Sequence, residues 1–206
     1  DSADMNKYGA KFKYSKFQAV VDNSNDSITS NITKVEIRRD LKPALNQNAE
    51  YELCFGNSFY IKNNNGYNIK SSGFNIFGVS DTVYLSDIPN EEGNTGTLFL
   101  FTLLARSNPT IVSNNVGTID YRKGEILIKP INISSTSKQV QNIPIIEISA
   151  CPESNDIIGL QDLYLQLDIG GSIFDPIVDE ISSGLDPSGS NYIVSSSYMN
   201  GALVRV

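Results

Sequence analysis

The sequence of 206 residues contains no histidine and no tryptophan, and only two cysteines. Histidine is the commonest general base and the commonest metal ligand, so its absence removes the usual centre of acid–base or zinc chemistry. Two cysteines are too few for a disulfide framework. Cys54 and Cys151 both lie in apolar, strand-like runs, which is typical of small buried thiols, and a single disulfide between them is the alternative.

Positive charge is also scarce, with 16 Lys and Arg against 23 Asp and Glu, a net charge of −7 and a pI near 4.6. This balance argues against nucleic acid or an anionic membrane as a partner, since both require clustered positive charge. No apolar run approaches the roughly 20 residues of a membrane-spanning helix. The chain starts at Asp1 with no signal-peptide pattern, and we expect it to be part of a longer protein.

What the sequence has instead is alternation of apolar and polar residues. One short amphipathic helix is predicted over 13–22, where Tyr14, Phe17 and Val21 share a face. The predicted strands are 32–39, 50–55, 58–62, 67–78, 81–87, 96–106, 109–113, 116–121, 125–130, 131–135, 143–149 and 162–169. The fold class is therefore mainly β (β-rich α+β), with antiparallel sheets and one or two short helices.

From Gly170 onward glycine and serine become frequent, so we predict a core domain over 1–169 and an extended C-terminal segment over 170–206. Within that segment 175–184 has Asp175 at an N-cap, a proline next and a glycine at its end, which predicts a second short helix. Such a short helix must dock on an apolar partner. Further strand-like pieces are 192–197 and 201–206.

Two groups of residues are candidates for an interface. The first surrounds the predicted second helix and consists of Ile173, Phe174, Ile177 and Ile181, for which docking on the same chain is the alternative. The second is the basic group in KVEIRRDLK, chiefly Arg38 and Arg39. On an edge strand such charges commonly block unwanted pairing, and they could also meet an acidic patch on another subunit.

No motif carries catalytic chemistry. The charged corner DYRKGE (120–125) has the pattern of a hairpin turn ending in a left-handed Gly124, so Arg122 and Lys123 are expected to face solvent. The carboxylate pairs are interpreted as a solvated acidic surface; they are Asp81 and Asp87, Glu91 and Glu92, and Asp179 and Glu180. Nucleophile elbows, phosphate-binding loops and zinc spacings are absent, so we predict no catalytic, cofactor or metal residue, no small-molecule substrate and no enzyme.

Two stretches resemble a known family. KFKYSKFQAVVDNSNDSITSNITKVEIRRDLKP (11–43) and the hairpin GTIDYRKGEILI (117–128) are similar to sequence blocks of baseplate wedge proteins of T-even-type contractile-tailed phages, related to the baseplate J-like family. The resemblance implies the C-terminal portion of a structural subunit that associates with itself, as a homodimer or ring, and with other wedge proteins. It further implies a place in the virion tail baseplate, assembled in the host cytoplasm, and no cofactor.

Three hypotheses are compatible with these observations. The first is the structural baseplate subunit, and the second is a secreted or surface β module that binds carbohydrate or protein. The third is a hydrolase directed at peptidoglycan. A ring-stacking aromatic cluster and a secretion signal would favour the second, and a carboxylate in an apolar pocket would favour the third.

Overall fold

The structure is a computed structural model that describes residues 5, 7–103, 109–160, 164–178, 198–199 and 202–203. The chain divides into two compact units, Asp1–Gln166 and Leu167–Val206. In the described residues every strand pairing is antiparallel, which confirms the predicted mainly β class. The boundary at residue 169 and the domain roles remain predictions.

The first unit contains one described helix of more than one turn and twelve strands. They are, in chain order, β1 (Lys11–Phe12), α1 (Tyr14–Asp22), β2 (Ile37–Leu41), β3 (Asn48–Cys54), β4 (Lys70–Ser71), β5 (Phe74–Ile76), β6 (Val83–Pro89), β7 (Thr95–Thr102), β8 (Thr110–Asp120), β9 (Glu125–Thr136), β10 (Lys138–Val140), β11 (Ile143–Ala150) and β12 (Ile157–Ile158). The second unit contains β13 (Tyr198–Met199) paired with β14 (Ala202–Leu203).

The largest sheet closes on itself as a small barrel because β9, with 12 residues, pairs with both β8 and β5. The beginning of β9 pairs with β8, from Asp120↔Glu125 to Gly117↔Ile128. Its end pairs with β5, which leads through β6 and β7 back to β8. β3 pairs with residues 125–132 of β9. A second sheet places β11 beside β2, β4 and β10.

The core lies inside this closed sheet and beneath the second sheet. Alternate residues of β6 and β7 point inward, so Val83, Leu85, Leu98 and Leu100 are at most 1% exposed. Ile146 and Ile148 of β11 belong to the same apolar cluster. Burial of this aliphatic surface stabilises the fold by about 25 cal/mol per Å² of area removed from water.

Several predicted elements differ from the structure. Residues 58–62 form one isolated bridge, Phe59↔Pro152, and 164–168 have no regular structure although 162–169 alternates. Alternation produces a strand only where a neighbour supplies backbone hydrogen bonds. The described start of the predicted second helix, 175–178, is not helical, and the remainder lies outside the described residues, as do 104–108, 162–163 and 192–197.

Two pairs of predicted strands are continuous in the structure. Residues 109–113 and 116–121 belong to β8, and 125–130 and 131–135 belong to β9. β10 lies in a polar stretch that was not predicted as a strand. Cys54 and Cys151 are both free and half-buried, so the alternative of a disulfide between them is wrong.

Candidate functional site

The charged corner between β8 and β9 is a structural turn, as predicted. The Asp120 side chain accepts hydrogen bonds from the backbone N–H groups of Arg122 and Lys123, each at 3.0 Å. Gly124 has φ +69° and donates its N–H to the Asp120 carbonyl at 2.9 Å. The Arg122 and Lys123 side chains are exposed, and Lys123 pairs with Glu125 at 3.7 Å. The corner presents charge to solvent.

Segment 55–59 packs against the same corner and forms hydrogen bonds with it. No sequence pattern indicates this contact. Phe55 N–H donates to the Gly124 carbonyl at 2.8 Å, and Phe59 N–H donates to the Tyr121 carbonyl at 2.7 Å. A Cβ atom on Gly124 would lie 2.1 Å from the carbonyl oxygen of Asn57. Glycine is therefore required both by its backbone conformation and by close packing.

Segment 55–60 also forms hydrogen bonds with residues 151–158, which end in β12, the strand that pairs with the N-terminal β1. The Asn57 side chain donates to the Ile158 carbonyl at 2.9 Å and accepts the Ile158 N–H at 3.0 Å, as a neighbouring strand would. Tyr60 N–H donates to the Cys151 carbonyl at 2.8 Å. Since β12 pairs with β1, a series of hydrogen bonds, which includes those of the Asn57 side chain, runs from the hairpin corner to the strand that precedes α1.

The most concentrated polar cluster in the described residues is internal and centres on Asp87. This carboxylate is 0% exposed and accepts three hydrogen bonds. Tyr121 Oη donates to it at 2.5 Å, Asn68 Nδ2 at 2.9 Å and Ile69 N–H at 2.6 Å. The prediction that Asp87 belongs to a solvated acidic surface is therefore wrong. Asp81, Glu91 and Glu92 are exposed as predicted, and Asp179 and Glu180 lie outside the described residues.

The geometry of this cluster indicates a structural role. Burial, the hydrogen bond to Asp87 and the charge of Asp87 together raise the pKa of the Tyr121 hydroxyl well above its usual value. Because Asp87 has no exposed surface, it cannot reach a substrate in this conformation. Two of its three donors lie in the loop before β4 and the third lies at the β8–β9 corner. The Asp87 carboxylate, on β6, therefore links that loop to that corner. The pattern Val83-Leu85-Asp87 in β6 places Asp87 on the inward face, and that signal could have identified it.

The arginines predicted at an interface make intramolecular contacts. Arg38 pairs with Asp40 at 3.1 Å and with Glu147 at 3.4 Å. Arg39 Nη1 donates to the carbonyl of Cys54. In the described part of the chain β2 pairs only with β11, so these residues do lie on an edge strand, as the sequence indicates.

The apolar residues predicted at an interface are strongly exposed where the structure describes them. Ile173, Phe174 and Ile177 are 90%, 72% and 87% exposed. Ile181 lies outside the described residues. These residues belong to the second unit, whereas Arg38 and Arg39 belong to the first.

An aromatic cluster on β6 and β7 was not predicted. The Tyr67 ring meets Phe99 and Phe101 edge-on, with centroids 5.3 and 5.4 Å apart, and Tyr84 lies 5.7 Å from Phe101. The signal was available, because Tyr84, Phe99 and Phe101 occupy outward positions of adjacent strands. Tyr67 is 42% exposed, so one ring of the cluster is open to solvent.

Across the described ranges, no three metal-ligating side chains lie together, and no helix is long and apolar enough to cross a membrane. One cavity of about 10 Å³ lies in the core between the closed sheet and β11, and aliphatic residues and Phe74 line it. A cavity of that volume is about the size of one water molecule.

The described residues thus define a mainly β protein with internal polar clusters and apolar residues exposed at its surface. In comparison with known families, residues 1–40 match the family described as baseplate structural protein gp6, C-terminal domain III. The match covers β1, α1 and most of β2, and it supports a structural role in a phage baseplate. It does not extend to the baseplate J-like family. A search of curated proteins found no match.

Proposed function

We propose that this chain is the C-terminal portion of a baseplate wedge subunit of a contractile-tailed phage, and that it acts by associating with itself and with other wedge proteins. The observation that carries the proposal is the match of residues 1–40 to a baseplate structural family. The stretch 11–43, which resembles wedge proteins by its sequence alone, overlaps most of this match.

Exposed apolar side chains support a role in assembly. Ile173, Phe174 and Ile177 in the second unit, and Val20 and Ile32 in the matched region, are each more than 60% exposed. Exposed large apolar side chains that lie close together are typical of protein–protein contacts, and Ile173, Phe174 and Ile177 lie within five residues of one another along the chain. Part of the self-association would come from the residues after Gly170.

The proposal assigns no catalytic residue. Asp87, the carboxylate with the most unusual environment, already accepts three hydrogen bonds from the protein itself. Assembly in the host cytoplasm and a final place in the tail baseplate follow from the proposed role.

Immunoelectron microscopy tests this function. Antibodies raised against the chain should label the distal end of tails in virions of the phage that encodes it. Pre-immune serum is the control. Labelling of the head or the tail sheath, or an absence of labelling on intact virions and on isolated baseplates, would overturn the proposal.

One observation favours a second candidate, a carbohydrate-binding module. Tyr67 and Tyr84 belong to an aromatic cluster that includes partly exposed rings. Aromatic faces are common platforms for sugar rings, so Tyr67→Ala should abolish glycan binding if this function exists. Binding of no sugar on a glycan array by the unchanged protein would exclude it.

A further inference from the structure

Residues 7–33, which we call the strap, are held together by contacts within their own segment. Near the start of α1, Tyr14 Oη donates to the Thr33 carbonyl at 2.8 Å. At the other end of the helix, Asn31 Nδ2 donates to the Asp22 carboxylate. The chain after α1 therefore runs back along the helix, although none of the helix residues is buried.

The strap is joined to the strands of the first unit along one edge of β12. β1 pairs with β12, Gly9 N–H donates to the Leu160 carbonyl at 3.2 Å, and Gly159 N–H donates to the Ala10 carbonyl at 2.7 Å. Between described residues, the backbone hydrogen bonds from the strap to later parts of the chain all end on residues 157–160.

The opposite edge of β12 is held by Asn57. The Asn57 side chain donates to the Ile158 carbonyl at 2.9 Å and accepts the Ile158 N–H at 3.0 Å. The segment that carries Asn57 is itself bonded to the β8–β9 corner, because Phe55 N–H donates to the Gly124 carbonyl. β12 would therefore keep its place if the strap left, and only its edge towards β1 would lose its neighbour.

Asp156, directly before β12, caps the start of α1. Lys13, at the N-cap position, makes no side-chain capping hydrogen bond, and Tyr14 N–H donates to the Asp156 carboxylate at 2.8 Å instead. A carboxylate at this position satisfies a free N–H group and interacts favourably with the helix dipole. Asp156 and Tyr14 are 142 residues apart in the sequence, so α1 has this cap only while the strap lies on β12.

We propose that the strap opens from β12 as one unit while the closed sheet stays folded, and that Asp156 controls this opening. Segments with few buried side chains open at a lower free energy than the whole fold. Ala10, 1% exposed when the strap is closed, and the Gly159 N–H would both be released, so the open form presents a strand edge that the closed form covers. Residues 34–36, which have no regular structure, would be the hinge.

Hydrogen exchange resolved by NMR at low urea concentrations tests this opening in the full chain. The Phe17 amide, bonded to the Lys13 carbonyl, and the Gly159 amide should have protection factors within about threefold of each other, because a helix this short does not persist after release. Amides of β7 should be protected at least about 100-fold more strongly. The Ile158 amide, bonded to Asn57, is the internal control and should be at least about tenfold better protected than Gly159.

Variants at Asp156 test its control of the opening. Asp156→Ala removes both the cap and the charge, so the protection of the Phe17 and Gly159 amides should fall roughly tenfold. Asp156→Asn keeps a capping oxygen but loses the charge, so the fall should be only about threefold. Glu153→Ala, a change at a nearby exposed carboxylate, is the matched control and should alter protection less than about twofold. The β7 amides should be unchanged in all three variants.

Three results would contradict this inference. A Gly159 amide as well protected as those of β7 would mean that the strap leaves β12 only when the whole fold opens. A Phe17 amide that exchanges more than about tenfold faster than Gly159 would mean that α1 unfolds while β1 stays paired. Equal effects of Asp156→Ala and Glu153→Ala would mean that Asp156 does not control the opening.

Discussion

In the closed sheet, inward side chains such as Leu98 and Ile119 are at most 1% exposed, and even its one buried carboxylate, Asp87, has three hydrogen-bond donors. In the N-terminal segment 7–36, α1 contributes no buried residue, and Ile32 is almost fully exposed. The inward side chains of the closed sheet pack against one another in the core, whereas α1 keeps exposed surface. Stability should therefore depend mainly on the first region.

The largest effect is expected at Asp87. Asp87→Ala removes the acceptor of three hydrogen bonds. The Tyr121 hydroxyl and the Ile69 N–H are left buried without their acceptor, while Asn68 keeps its hydrogen bonds to Asn63. The unfolding free energy should fall by about 4 kcal/mol in urea denaturation. Asp81→Ala, a change at an exposed carboxylate, is the control and should stay within about 0.5 kcal/mol. Equal losses of unfolding free energy in the two variants would contradict the structural role of Asp87.

Gly124 should show the next largest effect. Gly124→Val combines a left-handed backbone with a Cβ atom 2.1 Å from the Asn57 carbonyl oxygen, so we expect a loss of about 3 kcal/mol. Gly93→Val is the matched control, because Gly93 has φ +68° in another turn but no atom near its Cβ position. It should cost only the left-handed strain, about 1–2 kcal/mol. Identical thermal shifts would mean that the contact with 55–59 contributes nothing.

Tyr121→Phe should cost about 1–2 kcal/mol near neutral pH, because it removes a buried hydrogen bond to Asp87. The raised pKa of Tyr121 also gives a pH dependence. Above about pH 10 the unfolded state loses the Tyr121 proton while the folded state keeps it, so the stability of the unchanged protein falls as pH rises. The difference in unfolding free energy between the unchanged protein and Tyr121→Phe should therefore decrease between pH 9 and pH 11, as measured by urea denaturation. Tyr60→Phe, a change at an exposed ring, is the control. If the difference in unfolding free energy caused by Tyr121→Phe does not change with pH, the buried hydrogen bond is contradicted.

The smallest effect is expected in α1. Val20→Ser should change the unfolding free energy of the monomer by less than about 0.5 kcal/mol, since the side chain is exposed. The measurement is urea denaturation of the variant and of the unchanged protein at the same low protein concentration. A loss above about 2 kcal/mol would show that α1 belongs to the core and would remove the contrast with the closed sheet.

By itself the sequence determined the fold class, the helix predicted at 13–22, the hairpin corner at 120–125 and the exposure of Arg122 and Lys123. These features depend on periodicity and on the backbone preferences of glycine, both of which act over a few residues. Local alternation also predicted a strand at 162–169, and there it failed over 164–168, because a run of suitable residues does not reveal whether a neighbouring strand exists.

Only the tertiary structure decided the role of Asp87, the contact of Asn57 with Gly124 and the exposure of one side of α1. Asp87 lies 34 residues before its Tyr121 donor, and Asn57 meets Ile158 across a separation of 101 residues. The pairings of β9 with β3, β5 and β8 bring such residues together, and those pairings depend on contacts distant in sequence. The closed sheet encloses a carboxylate at an inward position of β6, while α1 lies outside that closure and keeps an exposed face.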